Sequence, residues 1–299
     1  MKKEEIFLEV DGVQIRITHP SKILYPQAGY TKKDIIDYYL AIQQPLLRLN
    51  RGRPVVFIRY PHGAGGYSFF QKNVPPNHPD WMETVEMGKY KPVRYLILNK
   101  IADLIWFVQL HALEFHVINV RKPAFHHPDI MVFDIDPPEG ADFKATRDFS
   151  VQAARVIETL GYKVFFKTSG KKGIHLVCPL KPIFTVDEVF AAAESAARKI
   201  VEQYPDTATI EVRKTKRQGK FLIDIYRNRA FQTFSMPLGT RATPVASVSM
   251  PLSREELRIL EDPYVFTVKT VPAYLKQHGE PWPDFFESAT ELHFASTEK

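Results

Sequence analysis

The segment MVFDIDPPEG, residues 131–140, has the pattern of a β-strand whose apolar run is interrupted by acidic residues. Met131 to Ile135 favour a strand, but Asp134 and Asp136 break the apolar run on one side. Because successive side chains of a strand point to opposite faces, the two carboxylates lie on the same face. Two like charges side by side repel each other, so this pattern indicates a cation between them.

Composition limits the class of protein. The 299 residues are 44% hydrophobic and 25% charged, which is ordinary for a folded chain in water. The single cysteine, Cys178, excludes an intramolecular disulfide and a cysteine-based zinc site. The charged start MKKEEIFLEVDG does not fit a signal peptide, and no apolar run approaches the ~20 residues that span a membrane. We therefore expect a cytoplasmic protein with no membrane partner.

Basic residues are concentrated in two segments. The net charge is +6, and the segment RKTKRQGK, residues 213–220, has five basic residues and no acidic one. In RLNRGRPVVFIRY, arginine recurs at positions 48, 51, 53 and 59. One such run is usually a solvated face. Two runs in a chain that also carries an acidic strand favour a polyanionic partner such as nucleic acid.

From residue 129 onward the patterns predict strand, helix, two strands, helix and two strands. The predicted segments are DIMVFDID, DFKATRDFSVQAARVIETLGY, KVFFKTSG, IHLVCPL, TVDEVFAAAESAARKIVEQYP and ATIEVRKTKRQGKFLIDIYRN, the last as a hairpin with a basic turn. Gly161 is the predicted C-cap of the first helix and Thr185 the N-cap of the second. This order is typical of a split βαβ arrangement, in which helices cover one face of a mainly antiparallel sheet.

The chain before residue 125 has a different pattern. We expect a helix in TKKDIIDYYLAIQQPLLRL with Thr31 as N-cap, and a strand in RPVVFIRY. The segment KPVRYLILNKIADLIWFVQLHALEFHVINV begins as a strand and becomes an apolar helix from about Ile101. We expect one catalytic domain over residues 1–299, with an N-terminal module to about residue 125 and a catalytic module over 126–299.

A third strand carboxylate strengthens the interpretation of the acidic pair. Asp-x-Asp alone is a short pattern, because one Asp can cap the turn before PPEG while the other is simply exposed. In KFLIDIYRN, however, Asp224 interrupts an equally apolar strand in the same way. Carboxylates are ligands for Mg²⁺ or Mn²⁺, and three of them around a metal pair suit in-line nucleotidyl transfer.

The segment KTSGKKGIH, residues 167–175, has the features of an anion-binding turn. Glycines let backbone N–H groups turn towards a phosphate, and hydroxyl, ammonium and imidazole groups add donors. It is not a Walker A loop, because the order and spacing of Gly, Lys and Ser differ. The alternative is a basic turn with a surface histidine. The predicted phosphate-binding residues are Ser169, Gly170, Lys172 and His175.

Asp-x-Asp, then S-G-x-x-G-x-H, then a lone strand Asp resembles the archaeo-eukaryotic primase superfamily. The chain is most similar to one branch, the polymerase domain of bacterial ATP-dependent DNA ligase D and its free-standing relatives. The similarity runs from about residue 17 to about residue 260. It is carried by THPSKILYPQAGYTKKDIIDYYL, IRYPHGAGGYSFFQKN, ALEFH, VFDIDPPEGADF, KTSGKKGIH, KRQGKFLIDIYRN and RATPVASVSMPL.

The resemblance implies an α+β primase-polymerase fold, with an RRM-like antiparallel catalytic sheet packed on an N-terminal α/β module. It implies a template-directed polymerase that adds nucleotides, preferably ribonucleotides, to a primer 3′-hydroxyl at gaps or double-strand breaks with a 5′-phosphate. The implied cofactors are two Mn²⁺ or Mg²⁺ ions. The resemblance implies that the protein acts in non-homologous end joining or gap repair. It implies Ku and an ATP-dependent ligase as partners, and a location at the nucleoid.

The resemblance also implies roles for individual residues. Asp134, Asp136 and Asp224 would be the catalytic, metal-binding carboxylates. The nucleotide-binding set comprises Ser169, Gly170, Lys172, His175, Arg241, Arg227 and His116. Lys22 and Lys32 would grip the 5′-phosphate, and Phe69 and Phe70 would stack on template bases. The predicted DNA-binding set also contains Arg59, Lys72, Lys216 and Arg217.

Several points stay open. Ile58 stands where many family members have a basic residue. Arg227 stands where the family often has Gln, and it adds a cation that could contact the nucleotide phosphate or the template. His116 has the alternative of a core histidine at a helix end, and His111 lacks the spacing of helical zinc motifs. No nucleotidyl-lysine motif is visible, which fits a free-standing polymerase or a fragment. The alternative functions are a primase that starts chains without a primer and a non-catalytic nucleic-acid-binding module.

Overall fold

The computed structural model describes residues 4–293, and the chain divides into two compact units. Unit 1 contains the residues up to Ile118 together with Ser235–Ser249 and Tyr264–Glu280. Unit 2 contains Asn119–Phe234, Met250–Pro263 and the residues from Pro281 onward. The single catalytic domain and the change of module near residue 125 stay predictions.

The elements of unit 1 in chain order are β1 (Glu5–Val10), β2 (Val13–Thr18), β3 (Ile23–Tyr25), β4 (Tyr30–Thr31), α1 (Lys32–Ala41), α2 (Gln43–Asn50), β5 (Pro54–Arg59), β6 (Phe69–Gln71), β7 (Thr84–Met87), β8 (Val93–Ile97), α3 (Ile101–Gln109) and β9 (Ala112–Ile118). The unit is built around an antiparallel sheet with the strand order β9-β5-β8-β7, and β6 also pairs with β5.

Local sequence explains how α1 begins and how α3 ends. Thr31 is the N-cap of α1 as predicted, because its hydroxyl accepts from the Asp34 amide while the Asp34 carboxylate accepts from the Thr31 amide. The apolar helix predicted from Ile101 ends at Gln109, because the backbone turns to a positive φ of 66° at His111. The residues that follow form β9, which the sequence pattern missed because β9 is buried along almost its whole length.

Unit 2 has the predicted order of elements. They are β10 (Ile130–Asp136), α4 (Phe143–Thr159), β11 (Phe165–Thr168), β12 (Ile174–Pro179), α5 (Val186–Gln203), β13 (Ala208–Thr209) and β14 (Phe221–Asp224). The chain returns to unit 1 at β15 (Thr233–Ser235). Unit 2 then adds β16 (Pro251–Leu252) and α6 (Arg254–Ile259). A last helix, α7 (Val271–His278), belongs to unit 1. Single 3₁₀ turns lie at Lys214–Lys216, Tyr226–Asn228 and Pro263–Val265.

The sheet of unit 2 has the order β13-β14-β10-β12-β11-β16, so β10 is a central strand. Helix α4 packs on β10 and β12, and α5 packs on α4 and β10. The predicted caps are present, because Thr185 accepts from the Glu188 amide and Gly161 follows α4 with φ 95°. Within residues 4–293, no helix is long and apolar enough to cross a membrane.

The predicted hairpin at residues 208–228 is wrong. Strand β13 pairs with β14 in parallel, and the basic segment between them is a loop with a 3₁₀ turn. The reason lies in residues 210–217, where Val212 is 46% exposed and Arg213, Lys214 and Lys216 are exposed to water. A second strand there would have no apolar face to bury, so only Ala208 and Thr209 reach the sheet.

Candidate metal and nucleotide site

Three carboxylates converge on neighbouring strands of unit 2. In the register of the sheet, Asp134 of β10 lies opposite Asp224 of β14, and Asp136 lies two residues further along β10. One oxygen from each of the three side chains lies within 4.8 Å of the others. Asp134 is buried and the other two are half-buried. Strand alternation and this register together build the acidic cluster.

The acidic cluster fits a divalent metal ion. Burial, and then the charge of Asp136, raise the pKa of Asp134 well above its ordinary value. Burial raises the pKa of Asp136 most, Asp224 adds to the rise, and nearby cations oppose it. Three such groups are stable as anions only with a cation among them. All three offer hard oxygen donors, which suit Mg²⁺ or Mn²⁺.

The Arg227 side chain lies between two of these carboxylates. Its Nε is 3.3 Å from Asp134 Oδ2, and its Nη2 is 3.3 Å from Asp224 Oδ2. The 3₁₀ turn that follows β14 places it there, and the Asp224 Oδ1 atom accepts from the Tyr226 amide at 2.8 Å. Burial lowers the pKa of Arg227, but Asp134 and the other two carboxylates together hold it above its ordinary value.

His175 lies opposite Asp134 in the adjacent strand, β12. Its Nε2 is 3.3 Å from Asp134 Oδ1, and its Nδ1 is 3.2 Å from the Nζ of Lys167. Lys167, on β11, is fully buried and lies opposite His175 in the sheet. Since an ammonium group can only donate, this contact makes Nδ1 the acceptor and leaves the proton on Nε2. The sequence pattern did not reveal Lys167, because a lysine inside an apolar strand resembles an exposed residue.

The turn between β11 and β12 lies against the acidic strand. Ser169 Oγ accepts from the amides of Lys171 and Gly173, each at 3.2 Å, and Gly170 has φ 74°. A Cβ added at Gly173 would lie 3.0 Å from the Ile135 carbonyl oxygen, so a side chain here would crowd the acidic strand. The turn thus brings Ser169 close to the carboxylates.

The remaining predicted residues of unit 2 are basic and lie closer to solvent. Lys172 and Lys216 are exposed, whereas Arg217 is half-buried and donates to the Val212 carbonyl oxygen at 2.8 Å. Arg217 and Lys214 are among the cations that oppose the rise of the Asp136 pKa. The basic loop therefore adds positive charge near the acidic cluster.

In unit 1, the side chains of Lys22 and Lys32 lie close to each other. Lys22 Nζ donates to the Pro61 carbonyl oxygen at 2.7 Å and lies 3.4 Å from His111 Nε2. Lys32 is buried, and its Nζ donates to the Thr18 carbonyl oxygen at 2.5 Å and to Gln109 Oε1 at 3.0 Å. Burial and the charge of Lys22 lower the pKa of Lys32 to about 8.

More basic groups join the two lysines. Burial, and after it the charges of Lys32, Lys22, Arg59 and His19 in that order, lower the pKa of His111 to about 4. We call these five residues the basic cluster. Crowded like charges are costly without an anion, so the cluster fits a phosphate group. The sequence excluded His111 as a helical zinc ligand but gave it no other role, because the turn that brings it to the lysines is not visible in the pattern.

A second cluster in unit 1 is centred on the buried Glu114 of β9. Glu114 Oε2 is 2.8 Å from Arg241 Nε and 3.5 Å from His116 Nε2. Its Oε1 accepts from the Tyr60 hydroxyl at 3.0 Å and from the Ala242 amide at 3.2 Å. Two predicted nucleotide-binding residues thus meet at one carboxylate that the sequence analysis did not single out. His116 itself lies within a strand, not at a helix end.

The predicted aromatic pair forms part of β6. Phe70 is 49% exposed, and its ring centroid is 6.2 Å from that of His116. Phe69 is half-buried, with the Arg59 guanidinium carbon 5.2 Å from its ring centroid. The adjacent Lys72 is half-buried. Alternation along the strand therefore leaves one of the two rings open to solvent.

The acidic cluster and the adjacent turn on a split βαβ sheet define the class, a nucleotidyltransferase with an α+β primase-polymerase fold. Residues 31–282 match the family model described as LigD, primase-polymerase domain, and the chain belongs to this family. It is also similar to a solved structure titled polymerase domain from Mycobacterium tuberculosis ligase D in complex with DNA. The TM-score is 0.84 at 27% identity, over 92% of this chain and 99% of that chain.

Curated relatives are similar over part of their length. The bifunctional non-homologous end joining protein LigD of Bacillus subtilis is 31% identical over 280 residues, which cover 92% of this chain and 44% of the relative. The multifunctional non-homologous end joining protein LigD of Mycolicibacterium smegmatis is 31% identical over 251 residues, or 82% of this chain and 32% of the relative. The chain therefore spans less than half the length of these relatives.

Proposed function

We propose that this chain is a template-directed polymerase that extends a primer 3′-hydroxyl at DNA gaps or breaks with a 5′-phosphate. The process would be non-homologous end joining or gap repair, with ribonucleotides preferred. The observation that carries the proposal is the group of three strand carboxylates within 4.8 Å, beside a turn that carries Ser169 and the exposed Lys172. Membership of the LigD primase-polymerase family supports it.

Asp134, Asp136 and Asp224 would hold the metal ions, for which we propose Mn²⁺ or Mg²⁺. When bound, such ions lower the pKa of the attacking hydroxyl and neutralise charge on the triphosphate. The chain's own residues would bind and orient the nucleotide. His175 presents its Nε2 proton towards Asp134, and from there it can donate to a phosphate oxygen. Hydrogen-bond donors placed at the leaving pyrophosphate stabilise the charge that develops on it.

The other nucleotide contacts are proposals of the same kind. The turn at Ser169 and Gly170, with the exposed Lys172, would bind triphosphate oxygens. Glu114 orients the Arg241 guanidinium by the 2.8 Å contact with its Nε, and we propose a nucleotide-binding role for Arg241 and His116.

The basic cluster would bind the 5′-phosphate on the far side of a gap, because it gathers five basic groups at one place. Phe70, with Phe69 beside it, would stack on template bases. The remaining proposed DNA contacts are Arg59, Lys72, Lys216 and Arg217. We also propose Ku and an ATP-dependent ligase as partners, a cytoplasmic, nucleoid-associated location, and one catalytic domain over residues 1–299 with modules that meet near residue 125.

The test is extension of a labelled primer on a gapped duplex with a 5′-phosphate, with rNTP or dNTP and Mn²⁺. We expect extension by the wild type and its loss in Asp136→Ala. Extension that survives in this variant would refute the metal assignment. Dinucleotides formed on unprimed template, with no need for a 5′-phosphate, would favour a primase instead. Absence of any synthesis would favour a non-catalytic nucleic-acid-binding module.

A second arm tests the 5′-phosphate site. Lys22→Glu and Lys32→Glu should reduce extension on 5′-phosphorylated gaps about tenfold more than on plain primer-templates, because a phosphate contact is charge-assisted. The matched control is Lys33→Glu, which reverses an exposed lysine that pairs with Asp37 on the surface of α1. Equal losses on both substrates would show that the two lysines only bind the backbone.

A further inference from the structure

Arg227 engages the same carboxylate atoms that a metal ion needs. Asp134 Oδ1 faces His175 and its Oδ2 faces Arg227. Asp224 Oδ1 accepts from the Tyr226 amide, and its Oδ2 also faces Arg227. Every oxygen of these two carboxylates therefore lies close to a donor of the protein itself.

We propose that Arg227 is an internal counter-ion of the acidic cluster, which a divalent cation must displace in order to bind Asp134 and Asp224. The inference rests on the proposed metal role of the cluster. A guanidinium group and a divalent ion repel each other, so both cannot keep close contacts with the same Oδ2 atoms. The Arg227 side chain is 35% exposed, which gives it a route away from the carboxylates without disruption of the core.

Displacement has a thermodynamic consequence. The free energy of the two Arg227 ion pairs is lost when metal binds, so the arginine lowers the metal affinity of the free protein. In return, the arginine lowers the repulsion among three carboxylates while no metal is present. The metal-free protein should therefore be less stable without Arg227, and its metal affinity should be higher.

A static role for Arg227 predicts the opposite change in affinity. If the guanidinium stays in place and holds the carboxylates at the correct spacing, its removal lets them move apart, and metal affinity falls. The sign of the change in Mn²⁺ affinity distinguishes the two roles, with no need for substrate or turnover.

The experiment measures free Mn²⁺ by electron paramagnetic resonance during titration of the full chain without nucleotide or DNA. Arg227→Gln should bind Mn²⁺ about tenfold more tightly than the wild type, since charge-assisted hydrogen bonds of this strength compete with the ion. The matched control is Arg229→Gln, which removes the same charge two residues away. The Arg229 guanidinium carbon lies 4.1 Å from the Phe190 ring centroid. It should change Mn²⁺ affinity by less than about threefold.

Two further measurements complete the test. In the wild type, the Arg227 Nε–H resonance, assigned by its loss in Arg227→Gln, should shift on addition of diamagnetic Mg²⁺. An unshifted resonance, or equal or weaker Mn²⁺ binding by Arg227→Gln, would overturn the counter-ion role. Asp136→Ala separates this failure from failure of the metal site. If Mn²⁺ binds the wild type but not Asp136→Ala, the metal site stands whatever Arg227 does, whereas absence of binding by all variants refutes both proposals.

Discussion

Removal of the Glu114 carboxylate should destabilise the protein strongly. Glu114 is 1% exposed, and its side chain pairs with Arg241, whose side chain is 10% exposed. Removal of one partner of a buried pair costs about 3–5 kcal/mol, because the other charge is left without compensation. The Tyr60 hydroxyl and the Ala242 amide also lose an acceptor in Glu114→Ala. We therefore expect a loss of about 3–5 kcal/mol in the free energy of unfolding.

A double-mutant cycle by urea denaturation tests this reasoning. Glu114→Ala, Arg241→Met and the double variant are compared with the wild type. If the two charges stabilise each other, the double variant should lose at least about 1 kcal/mol less than the sum of the single variants. Glu114→Gln keeps an oxygen acceptor and should lose only about 1–3 kcal/mol. Additive effects within about 0.5 kcal/mol would refute the claim that Glu114 and Arg241 act as a pair.

Three other variants probe separate parts of the structure. Lys167→Met removes the donor to His175 Nδ1 and should raise the KM for nucleotide about tenfold. Lys163→Met, which changes an exposed lysine, should leave this KM unchanged. Equal effects of the two variants would contradict the claim that Lys167 positions His175. Burial raises the pKa of Asp103 to about 6, so this carboxyl should stabilise the wild type by about 2 kcal/mol less at pH 7 than at pH 4, and urea denaturation of Asp103→Asn should show a fall in stability with pH that is smaller by that amount. The Phe70 ring is 49% exposed, so Phe70→Ala should change the free energy of unfolding by less than about 0.5 kcal/mol. The same variant should weaken the binding of single-stranded DNA by about 1–3 kcal/mol, and unchanged binding would exclude base stacking by Phe70.

The features that sequence predicted best are local ones. Alternation placed Asp134 and Asp136 on one face of a strand, and Thr31 and Thr185 are caps because each bonds an amide three residues away. The hairpin prediction was wrong, because a periodic pattern does not show that Arg213, Lys214 and Lys216 stay in water instead of pairing.

The contacts that the sequence pattern did not reveal are those between distant segments. Glu114 and Arg241 are far apart in the chain, and each resembles an ordinary surface charge until the fold buries the pair. His111 joins the basic cluster only because the backbone turns at a positive φ after α3. The position of Arg227 between Asp134 and Asp224 depends on the β10–β14 register, which periodicity cannot give.

The most direct test of the central claim is single-nucleotide incorporation by Asp224→Asn on a 5′-phosphorylated gapped duplex with Mn²⁺. The change keeps the shape of the side chain and removes only the charge that would bind metal. An exposed acid of the same unit, Asp206→Asn, is the matched control and should retain wild-type activity. We predict a loss of about a thousandfold or more in the rate of incorporation, because a metal ligand acts directly on the transition state. A loss of less than about tenfold would contradict the claim that the three carboxylates carry the reaction.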